Sequence, residues 1–349
     1  MFSNTIPNSD IGLILKHTDA VWDCLSNQTI FLTGGTGFFG RWLLEAILSA
    51  NSLLGVNIKV IVLTRFPAKF IQLAPVIAND PAIHLLEGDV RSFEFPDLVC
   101  DTIIHGATDA SADLNEKNPQ LMLETIQQGT VHVLNFAVRA QTKRFLLISS
   151  GAVYGPQPPS IFSMSERHKF NPFQQVNAYA EGKRLAEAMV SEQGAKQNII
   201  TSIARCFAFV GPYLPLNKHF AIGNFIQDVL ESRSIHIHSD SSVYRSYLYA
   251  ADLVIWLLRM LAQSDSSCYN VGSNEEISLL ALAERIITLA GSNSEVHVLR
   301  KSNLDSSVSR YIPDVSLAMR DLGLKVYTTL DDAILKTIYF NRFLERVAV

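Results

Sequence analysis

Cysteines are scarce in this sequence, and they lie far apart. Its four cysteines are Cys24, Cys100, Cys206 and Cys268, with no Cys-x-x-Cys pair and no Cys/His cluster at zinc spacing. A disulfide framework is therefore not expected, and neither is a metal site. This cysteine usage favours a reducing compartment, and we predict that the protein is cytoplasmic.

Long hydrophobic runs and an excess of one charge are also missing. No apolar run approaches the roughly 20 residues that cross a bilayer, and the first residues, MFSNTIPNSD, lack the basic and apolar regions of a signal peptide. The formal net charge of −4 provides no basic field for nucleic acid. We therefore predict no membrane and no nucleic-acid partner. A hydrophobic content of 48% is typical of a globular chain with a sizeable core.

Short apolar runs alternate with amphipathic stretches through the first 200 residues. The runs typical of buried parallel strands are Thr29–Thr33, Lys59–Thr64, Ile83–Glu87, Thr102–His105, Phe145–Ser149 and Ile199–Ile203. The helical stretches between them are Phe39–Ser52, Gln120–Arg139 and Tyr179–Glu192. This alternation predicts an α/β fold with a doubly wound parallel (Rossmann) sheet.

Three regions are expected along the chain. Residues 1–26 have helical spacing and predict a leading helix. Residues 27–204 contain the alternating strands and helices, which predict the Rossmann domain. Residues 205–349 are less regular, so we expect a smaller, mainly substrate-binding region there, with some chain returning to the main domain.

A glycine-rich motif follows the first predicted strand. Gly34, Gly37 and Gly40 form GxxGxxG in TIFLTGGTGFFG, between an apolar strand and a helix. Gly34 permits a tight turn, Gly37 lets the backbone approach a pyrophosphate, and Gly40 lets the helix pack on the strand. The helix amino terminus supplies N–H groups for the phosphates. The motif predicts an NAD or NADP site, and the alternative is a glycine-rich turn that binds nothing.

The end of the second strand bears on the choice between NAD and NADP. Thr64 and Arg65 stand where an acidic residue would hold the adenosine ribose of NAD. Arg65 can neutralise a 2′-phosphate that a carboxylate would repel, so the pair favours NADP, unless Arg65 is only a solvated loop residue. Asp89, after the third strand, is expected either to accept a hydrogen bond from adenine or to cap the next turn.

A serine, a tyrosine and a lysine form the candidate catalytic set. Ser150 ends the predicted strand in RFLLISSGAVYG, and Tyr179 and Lys183 lie four apart in YAEGK, on one face of a predicted helix. A lysine ammonium beside a phenol favours the phenolate and lowers its pKa. Tyr179 is then expected to exchange a proton with a substrate hydroxyl during hydride transfer, while Ser150 orients the same oxygen. Taken alone, Tyr-x-x-x-Lys is weak, and Tyr179 by itself could be a helix-surface tyrosine.

These motifs together resemble the extended short-chain dehydrogenases/reductases of the NAD-dependent epimerase/dehydratase family, which act on nucleotide-sugars. The resemblance covers roughly residues 27–340 and rests on LTGGTGFFG, EGDVRS, SSGAVYG, YAEGK, RCFAFVGP, YRSYLYAADL and YNVGSNEEIS. It implies a cofactor site made of Gly34, Thr36, Gly37, Phe38, Phe39, Gly40, Thr64, Arg65, Asp89, Val90, Ala107, Tyr179 and Lys183. It implies a nucleotide-sugar site made of Ser150, Arg205, His219, Arg245 and Arg310, with Arg245 on the substrate pyrophosphate. Arg205, Arg245 and Arg310 could instead form structural ion pairs, and His219 could be structural.

The chain also departs from the resembling enzymes at the residues after Ser150. Sugar 4,6-dehydratases of the family have an Asp-Glu pair there, and its decarboxylases keep the Glu, whereas this chain has Gly151 and Ala152. Neither residue can transfer a proton. The departure favours simple redox chemistry at C4, by a 4-epimerase or 4-ketoreductase. A 4,6-dehydratase or decarboxylase remains an alternative if an acid such as Asp109 enters from elsewhere.

Two further alternatives lie outside nucleotide-sugar chemistry. A dihydroflavonol-type carbonyl reductase would share the Thr64–Arg65 signal but not the motifs of the second half. A non-catalytic NADP-sensing protein would have no need of Ser150, Tyr179 and Lys183 together. The stretches Gln120–Arg139 and Tyr179–Glu192 resemble the helices that pair two family subunits in a four-helix bundle, which implies a homodimer.

Overall fold

Helices and strands alternate in the computed structural model, which describes residues 5–108, 112–168, 177–218, 220–238, 243–299 and 308–347. The strands are β1 (Thr29–Thr33), β2 (Lys59–Thr64), β3 (Ile83–Glu87), β4 (Thr102–His105), β5 (Arg144–Ser150), β6 (Ile200–Cys206), β7 (Phe209–Val210), β8 (Ile235–Ile237), β9 (Val243–Arg245), β10 (Leu248–Tyr249), β11 (Ser267–Val271), β12 (Ile277–Ser278), β13 (Val296–Val298) and β14 (Ser309–Tyr311). The helices are α1 (Asn8–His17), α2 (Asp19–Leu25), α3 (Phe38–Leu54), α4 (Pro67–Leu73), α5 (Pro75–Ala78), α6 (Ala112–Lys117), α7 (Pro119–Arg139), α8 (Ala178–Gln197), α9 (Ala221–Leu230), α10 (Ala250–Leu261), α11 (Leu279–Ala290), α12 (Ser316–Leu322) and α13 (Leu330–Val347).

A seven-stranded sheet has the order β11-β6-β5-β4-β1-β2-β3. Strands β3, β2, β1, β4 and β5 pair in parallel, and every residue of β4 is buried. The α/β fold with a doubly wound parallel sheet, predicted from the sequence, is confirmed. The strand order changes direction between β1 and β4, and ligands of such sheets bind at the carboxyl ends of the strands on either side of that point.

Strand bounds follow the prediction closely where the strands are central. Strands β1 to β4 have the predicted bounds, whereas β5 is one residue longer at each end and β6 is shifted toward Cys206. Strand β11 was not predicted as a member of the sheet. It lies at the edge, and its sequence SCYNV has no continuous apolar run to indicate it.

The leading segment differs from its prediction, because two helices replace the single one expected within residues 1–26. The break is at Thr18, whose backbone has φ −129° and ψ 21°. The Thr18 hydroxyl donates to the carbonyl of Ile14 at 2.6 Å. A side-chain bond of this kind competes with continuation of the helix. Both helices are nevertheless anchored in the core, since Ile14 and Trp22 are buried.

The chain forms two compact units with interleaved sequence. The first unit is 1–153, 175–205 and 254–269, and the second is 154–174, 206–253 and 270–349. Residues 154–174, which the sequence places in the Rossmann domain, thus belong to the second unit. The reason is visible at Asn270, whose side-chain amide donates to the carbonyls of Met164 and Asp314 at 2.8 and 3.0 Å. The carbonyl of Met164 thereby has its partner in the second unit.

The described residues include neither a membrane-spanning helix nor a cluster of metal-ligating side chains. Within the described ranges, no helix is long and apolar enough to cross a membrane. In the same part of the chain, no group of three or more His, Cys, Asp or Glu residues is arranged to hold a metal ion.

Candidate cofactor and catalytic site

The glycine-rich turn joins β1 to α3 at the point where the strand order changes. Gly34 has φ +77°, which side chains other than glycine rarely adopt, and a Cβ there would lie 2.8 Å from the Gly106 carbonyl group. A Cβ on Gly40 would lie 2.3 Å from the Cα of Gly35. Glycine is therefore required at both positions. A Cβ on Gly35, which the sequence reasoning did not single out, would lie 2.7 Å from Cγ1 of Val62.

The amino terminus of α3 fits a dinucleotide pyrophosphate. Gly37 is the N-cap and is exposed, and as a glycine it has no side chain that could cap the first N–H groups of the helix. Uncapped N–H groups at a helix start form a site for phosphate oxygens. Thr36, Phe38 and Phe39 flank this turn, half-buried, and the two phenyl rings meet edge-to-face at 5.6 Å.

The predicted adenosine end lies after β2. Thr64 is buried, and its hydroxyl accepts the N–H of Phe66 at 3.3 Å. Arg65 is exposed, and its guanidinium lies 5.7 Å from the centre of the Phe66 ring. The Arg65 guanidinium thus lies beside the Phe66 ring at the end of β2 and remains exposed to solvent. Such an arrangement can receive a phosphate.

The Asp89 carboxylate forms an ion pair with Arg91. Arg91 binds both of its oxygens, at 2.8 and 3.1 Å. The hydrogen bond from Arg91 lowers the pKa of the Asp89 carboxyl, against the opposing effect of burial. Asp89 is therefore a fixed acceptor beside the predicted adenine position. The side chain of the next predicted residue, Val90, packs in the core, in contact with Gly129.

Helix α8 brings Lys183, a candidate catalytic residue, to the end of β5. Lys183 is buried, and its ammonium donates to the carbonyl of Ile148 at 2.8 Å and to the hydroxyl of Thr108 at 3.0 Å. The Lys183 Nζ lies 5.9 Å from the ring centre of Tyr179. Ser150 is the last residue of β5 and is 7% exposed. The predicted triad therefore gathers at the carboxyl end of β5.

The start of α8 is held by two asparagines. The Asn177 side chain accepts the N–H of Ala180 at 2.9 Å, and the Asn115 side chain accepts the N–H of Tyr179 at 3.0 Å. Both bonds satisfy N–H groups that the first turn of a helix leaves open. They set the position from which the Tyr179 side chain leaves the helix.

A third residue on the same helix face anchors α8 to the sheet. Glu187 follows Lys183 by one helical turn and accepts a hydrogen bond from Ser149 of β5 at 2.5 Å. Arg205 of β6 donates to both Glu187 oxygens, at 2.7 Å from Nη2 and 3.0 Å from Nε. Arg205, predicted for the substrate site, thus has its guanidinium engaged by this ion pair.

The positions after Ser150 carry no acid. Gly151 and Ala152 lie in a 3₁₀ turn, and the Ser150 hydroxyl accepts the N–H of Ala152 at 3.1 Å. Asp109, the other acid considered, lies outside the described residues. The turn can orient the Ser150 hydroxyl but cannot transfer a proton.

Two of the predicted substrate arginines lie in the second unit. Arg245, on β9, donates to the carbonyls of Tyr244 and Ser309 at 2.8 and 3.4 Å, and burial lowers its pKa. Arg310, on β14, instead donates to Glu276 at 3.2 Å. Within the described part of the chain, Arg245 has carbonyl partners and no carboxylate, which leaves its charge available for an anion.

Arg310 lies between aromatic rings. Its guanidinium is 5.3 Å from the ring centre of Tyr244 and 5.5 Å from that of Phe162. Strands β14 and β9 place Arg310 and Tyr244 opposite each other. His219, also predicted for this site, lies outside the described residues.

Several residues at the site were missed by the sequence reasoning. They are Thr33, His105, Thr108, Asn115 and Glu187. Signals existed for three of them. Thr33 and His105 are polar residues that end buried strands, and Glu187 continues the four-residue spacing of Tyr179 and Lys183. Thr108 and Asn115 have no local pattern, since their roles depend on contacts with α8.

A family model and curated relatives match this chain. The model of the NAD dependent epimerase/dehydratase family matches residues 30–272. UDP-glucuronic acid decarboxylase 5 of Arabidopsis thaliana is 28% identical over 306 residues, covering 86% of this chain and 85% of that protein. UDP-glucuronic acid decarboxylase 1 of Xenopus tropicalis is 29% identical over 324 residues, covering 92% and 74%.

Solved structures with the same fold include three nucleotide-sugar enzymes. The UDP-glucose 4-epimerase of Thermotoga maritima has a TM-score of 0.76 at 20% identity, over 91% of this chain and 99% of that one. The UDP-N-acetylglucosamine 4-epimerase of Methanobrevibacter ruminantium has a TM-score of 0.79 at 18% identity, over 92% and 99%. The dTDP-glucose 4,6-dehydratase of Streptomyces venezuelae, with NAD bound, has a TM-score of 0.76 at 23% identity, over 91% and 98%.

Proposed function

The chain belongs to the NAD-dependent epimerase/dehydratase family, and from that premise we propose that it is a nucleotide-sugar oxidoreductase acting at C4 of the sugar, as a 4-epimerase or a 4-ketoreductase. The observation that carries the proposal is the turn after Ser150. Gly151 and Ala152 supply no acid or base, whereas redox chemistry at C4 requires only a proton acceptor, an orienting hydroxyl and the nicotinamide.

The residues of the first unit fit this role. A bound nicotinamide would accept hydride from C4 and return it. The phenol of Tyr179 exchanges the proton of the C4 hydroxyl, and the ammonium of Lys183, held by the Ile148 carbonyl and the Thr108 hydroxyl, favours its phenolate form. Ser150 donates a hydrogen bond to the reacting oxygen. These roles need no charged group at position 151 or 152.

Recognition of the nucleotide is assigned to the second unit. Arg245 is half-buried, and within the described residues its hydrogen-bond partners are backbone carbonyls, so its guanidinium keeps its charge for a ligand. Two phosphates joined in a pyrophosphate are the anion expected of a nucleotide-sugar, and a planar guanidinium can bind them in bidentate fashion. Arg310 is the weaker assignment, because Glu276 already binds it.

A decarboxylase is the second candidate function. It is favoured by the two relatives from Arabidopsis thaliana and Xenopus tropicalis, which are both UDP-glucuronic acid decarboxylases. Oxidation of C4 in a uronic acid places a ketone β to the carboxylate. A β-keto acid can lose carbon dioxide without an acid to protonate a leaving hydroxyl. Loss of carbon dioxide therefore makes smaller demands on positions 151 and 152 than loss of water does.

One experiment separates these functions. The protein is incubated in deuterated water with UDP-, dTDP-, GDP- and CDP-sugars, UDP-glucuronic acid included, and products are followed by NMR and mass spectrometry. The proposal expects an altered C4 centre, no deuterium at C5 and the C6 group retained. Deuterium at C5 with loss of carbon dioxide would instead establish the decarboxylase. Deuterium at C5 with loss of water would show a dehydratase whose acids lie elsewhere, with Asp109 the first to replace.

We further propose that NADP is preferred over NAD. The support is the exposed guanidinium of Arg65 at the end of β2, at the place in the sequence where an acidic residue would hold the adenosine ribose of NAD. Arg65→Ala is expected to weaken NADP binding about tenfold, the loss of one charge-assisted contact, and to leave NAD binding nearly unchanged. Calorimetric titration of both cofactors measures this. Tighter binding of NAD by the wild type, together with an unaltered NADP affinity in the variant, would contradict the preference.

A homodimer through α7 and α8 is also proposed. The two helices pack against each other, and they expose Val131, Val138 and Leu185 to solvent. Apolar side chains on neighbouring exposed helices favour a protein partner. Sedimentation equilibrium that gave the mass of a single chain at micromolar concentration would argue against it.

A further inference from the structure

Three buried polar side chains form a hydrogen-bonded network between β1, β4 and α7, at the point where the strand order changes. Thr33 ends β1, His105 ends β4, and the two residues are paired in the sheet. The Thr33 hydroxyl lies 2.8 Å from Nδ1 of His105, and Nε2 of His105 lies 3.3 Å from the hydroxyl of Thr130 on α7. All three side chains are at most 4% exposed.

The direction of each hydrogen bond follows from the donors around Thr33. Its hydroxyl oxygen accepts the N–H groups of Gly106 and Ala107, at 3.1 and 3.0 Å. A hydroxyl has one proton to donate, and the remaining neighbour is Nδ1 of His105. His105 therefore accepts at Nδ1, and its proton lies on Nε2, where it is donated to Thr130. The tautomer is assigned from this network.

The neutral form of His105, which this network requires, persists over a wide pH range. Burial lowers its pKa to about 3, and the positive charge of Lys183 acts in the same direction. The imidazole is therefore neutral at any pH near neutrality. A protonated ring would have no lone pair for the Thr33 hydroxyl, so the neutral form is the one that keeps the network intact.

The network joins two backbone segments of the cofactor site. The Thr33 hydroxyl holds the peptide N–H groups of Gly106 and Ala107, while the Gly34 turn packs directly on the Gly106 carbonyl group. A change in the orientation of the Thr33 side chain would therefore move both segments relative to each other.

We propose that His105 is a positioning residue for the dinucleotide: by accepting the Thr33 hydroxyl proton it holds the Gly106–Ala107 backbone against the Gly34 turn. The proposal rests on the cofactor site of the proposed function. His105 itself is buried behind that surface, so it acts through Thr33 and not by contact with substrate.

The test compares cofactor affinity among network variants. His105→Leu and Thr33→Val are each expected to weaken NAD and NADP binding about tenfold, as expected for one lost buried hydrogen bond. His105→Gln, which can accept and donate along the same line, is expected to recover most of the affinity. The double variant is expected to bind no more weakly than Thr33→Val alone, because His105 acts through Thr33. Fluorescence titration with NADPH and NADH provides the dissociation constants, and kinetics should show a raised cofactor KM with kcat nearly unchanged.

A matched control variant is available at Thr102, at the other end of β4 from His105. Thr102 is fully buried in β4, and its hydroxyl donates to the side chain of Gln28 at 2.8 Å. Thr102→Val removes a comparable bond, so its melting temperature should fall about as much as that of Thr33→Val, while its cofactor affinity stays at the wild-type value.

Three outcomes would overturn the inference or its premise. Wild-type affinity in both His105→Leu and His105→Gln would show that His105 does not position the cofactor. An equal loss of affinity in Thr102→Val would show that general destabilisation explains the effect. A wild-type protein that binds neither NAD nor NADP would refute the proposed function itself, which the wild-type titration reveals before any variant is compared.

Discussion

Tyr179→Phe is expected to lower kcat by about 10²–10⁴-fold while leaving cofactor affinity close to that of the wild type. A well-placed acid/base group contributes a rate factor of this size, and phenylalanine removes only the hydroxyl that exchanges the proton. The backbone bond from the Tyr179 N–H to Asn115 is retained in the variant, so the start of α8 should stay in place. Steady-state kinetics on the identified nucleotide-sugar, with a parallel titration of NADPH, measures both quantities.

The matched control for this prediction is Tyr339→Phe. Tyr339 lies on α13 and is 62% exposed, so loss of its hydroxyl should leave kcat unchanged. Near-normal turnover of Tyr179→Phe would mean that another group takes the proton. A large fall in both kcat and cofactor affinity would mean that the tyrosine hydroxyl serves the cofactor site and not the proton transfer.

Glu187→Ala is expected to reduce the free energy of unfolding by about 3–5 kcal/mol, the usual cost of removing one partner from a buried ion pair. The side chains of Glu187 and Arg205 are 10% and 19% exposed. The substitution leaves the Arg205 guanidinium and the Ser149 hydroxyl without their shared acceptor. The expected measurement is a large fall in the denaturant midpoint, with the unfolding followed by both fluorescence and circular dichroism.

An exposed ion pair on the same helix serves as the control. Glu192 and Lys196 lie 2.7 Å apart but are 67% and 62% exposed, and exposed pairs contribute little to stability. Glu192→Ala should therefore leave the denaturant midpoint nearly unchanged. If Glu187→Ala behaved in the same way, the ion pair between Glu187 and Arg205 would contribute little to stability, and the expectation would be wrong.

Elements whose signals are local could be predicted closely. Strands β1 to β4 have continuous apolar runs and were predicted with their exact bounds. The glycine turn was also predictable, because the backbone conformation at Gly34 and the close approach at Gly40 are requirements of single positions. The break at Thr18 was not predicted, since helical spacing continues through it and only the bond of its hydroxyl to Ile14 interrupts the helix.

The partners of polar side chains could not be predicted in this way. The resemblance left open whether Arg205 binds substrate or forms an ion pair, and it could not name the partner, Glu187, which the side-by-side arrangement of β5 and β6 under α8 brings to it. Residue type likewise gave no role to His105, because its partner Thr33 is 72 residues away. Strand order brings these pairs together.

The sequence by itself determined the alternation of strands and helices, the glycine turn, and the placing of Tyr179 and Lys183 on one helix face. Each of these depends on residues within one or two turns of chain, where backbone geometry sets the spacing. Only the tertiary structure decided which of the predicted arginines are engaged by carboxylates and which buried hydroxyl binds the Gly106–Ala107 backbone. Those choices follow from which strands lie side by side, because a buried polar group takes whatever partner the sheet brings within hydrogen-bonding distance.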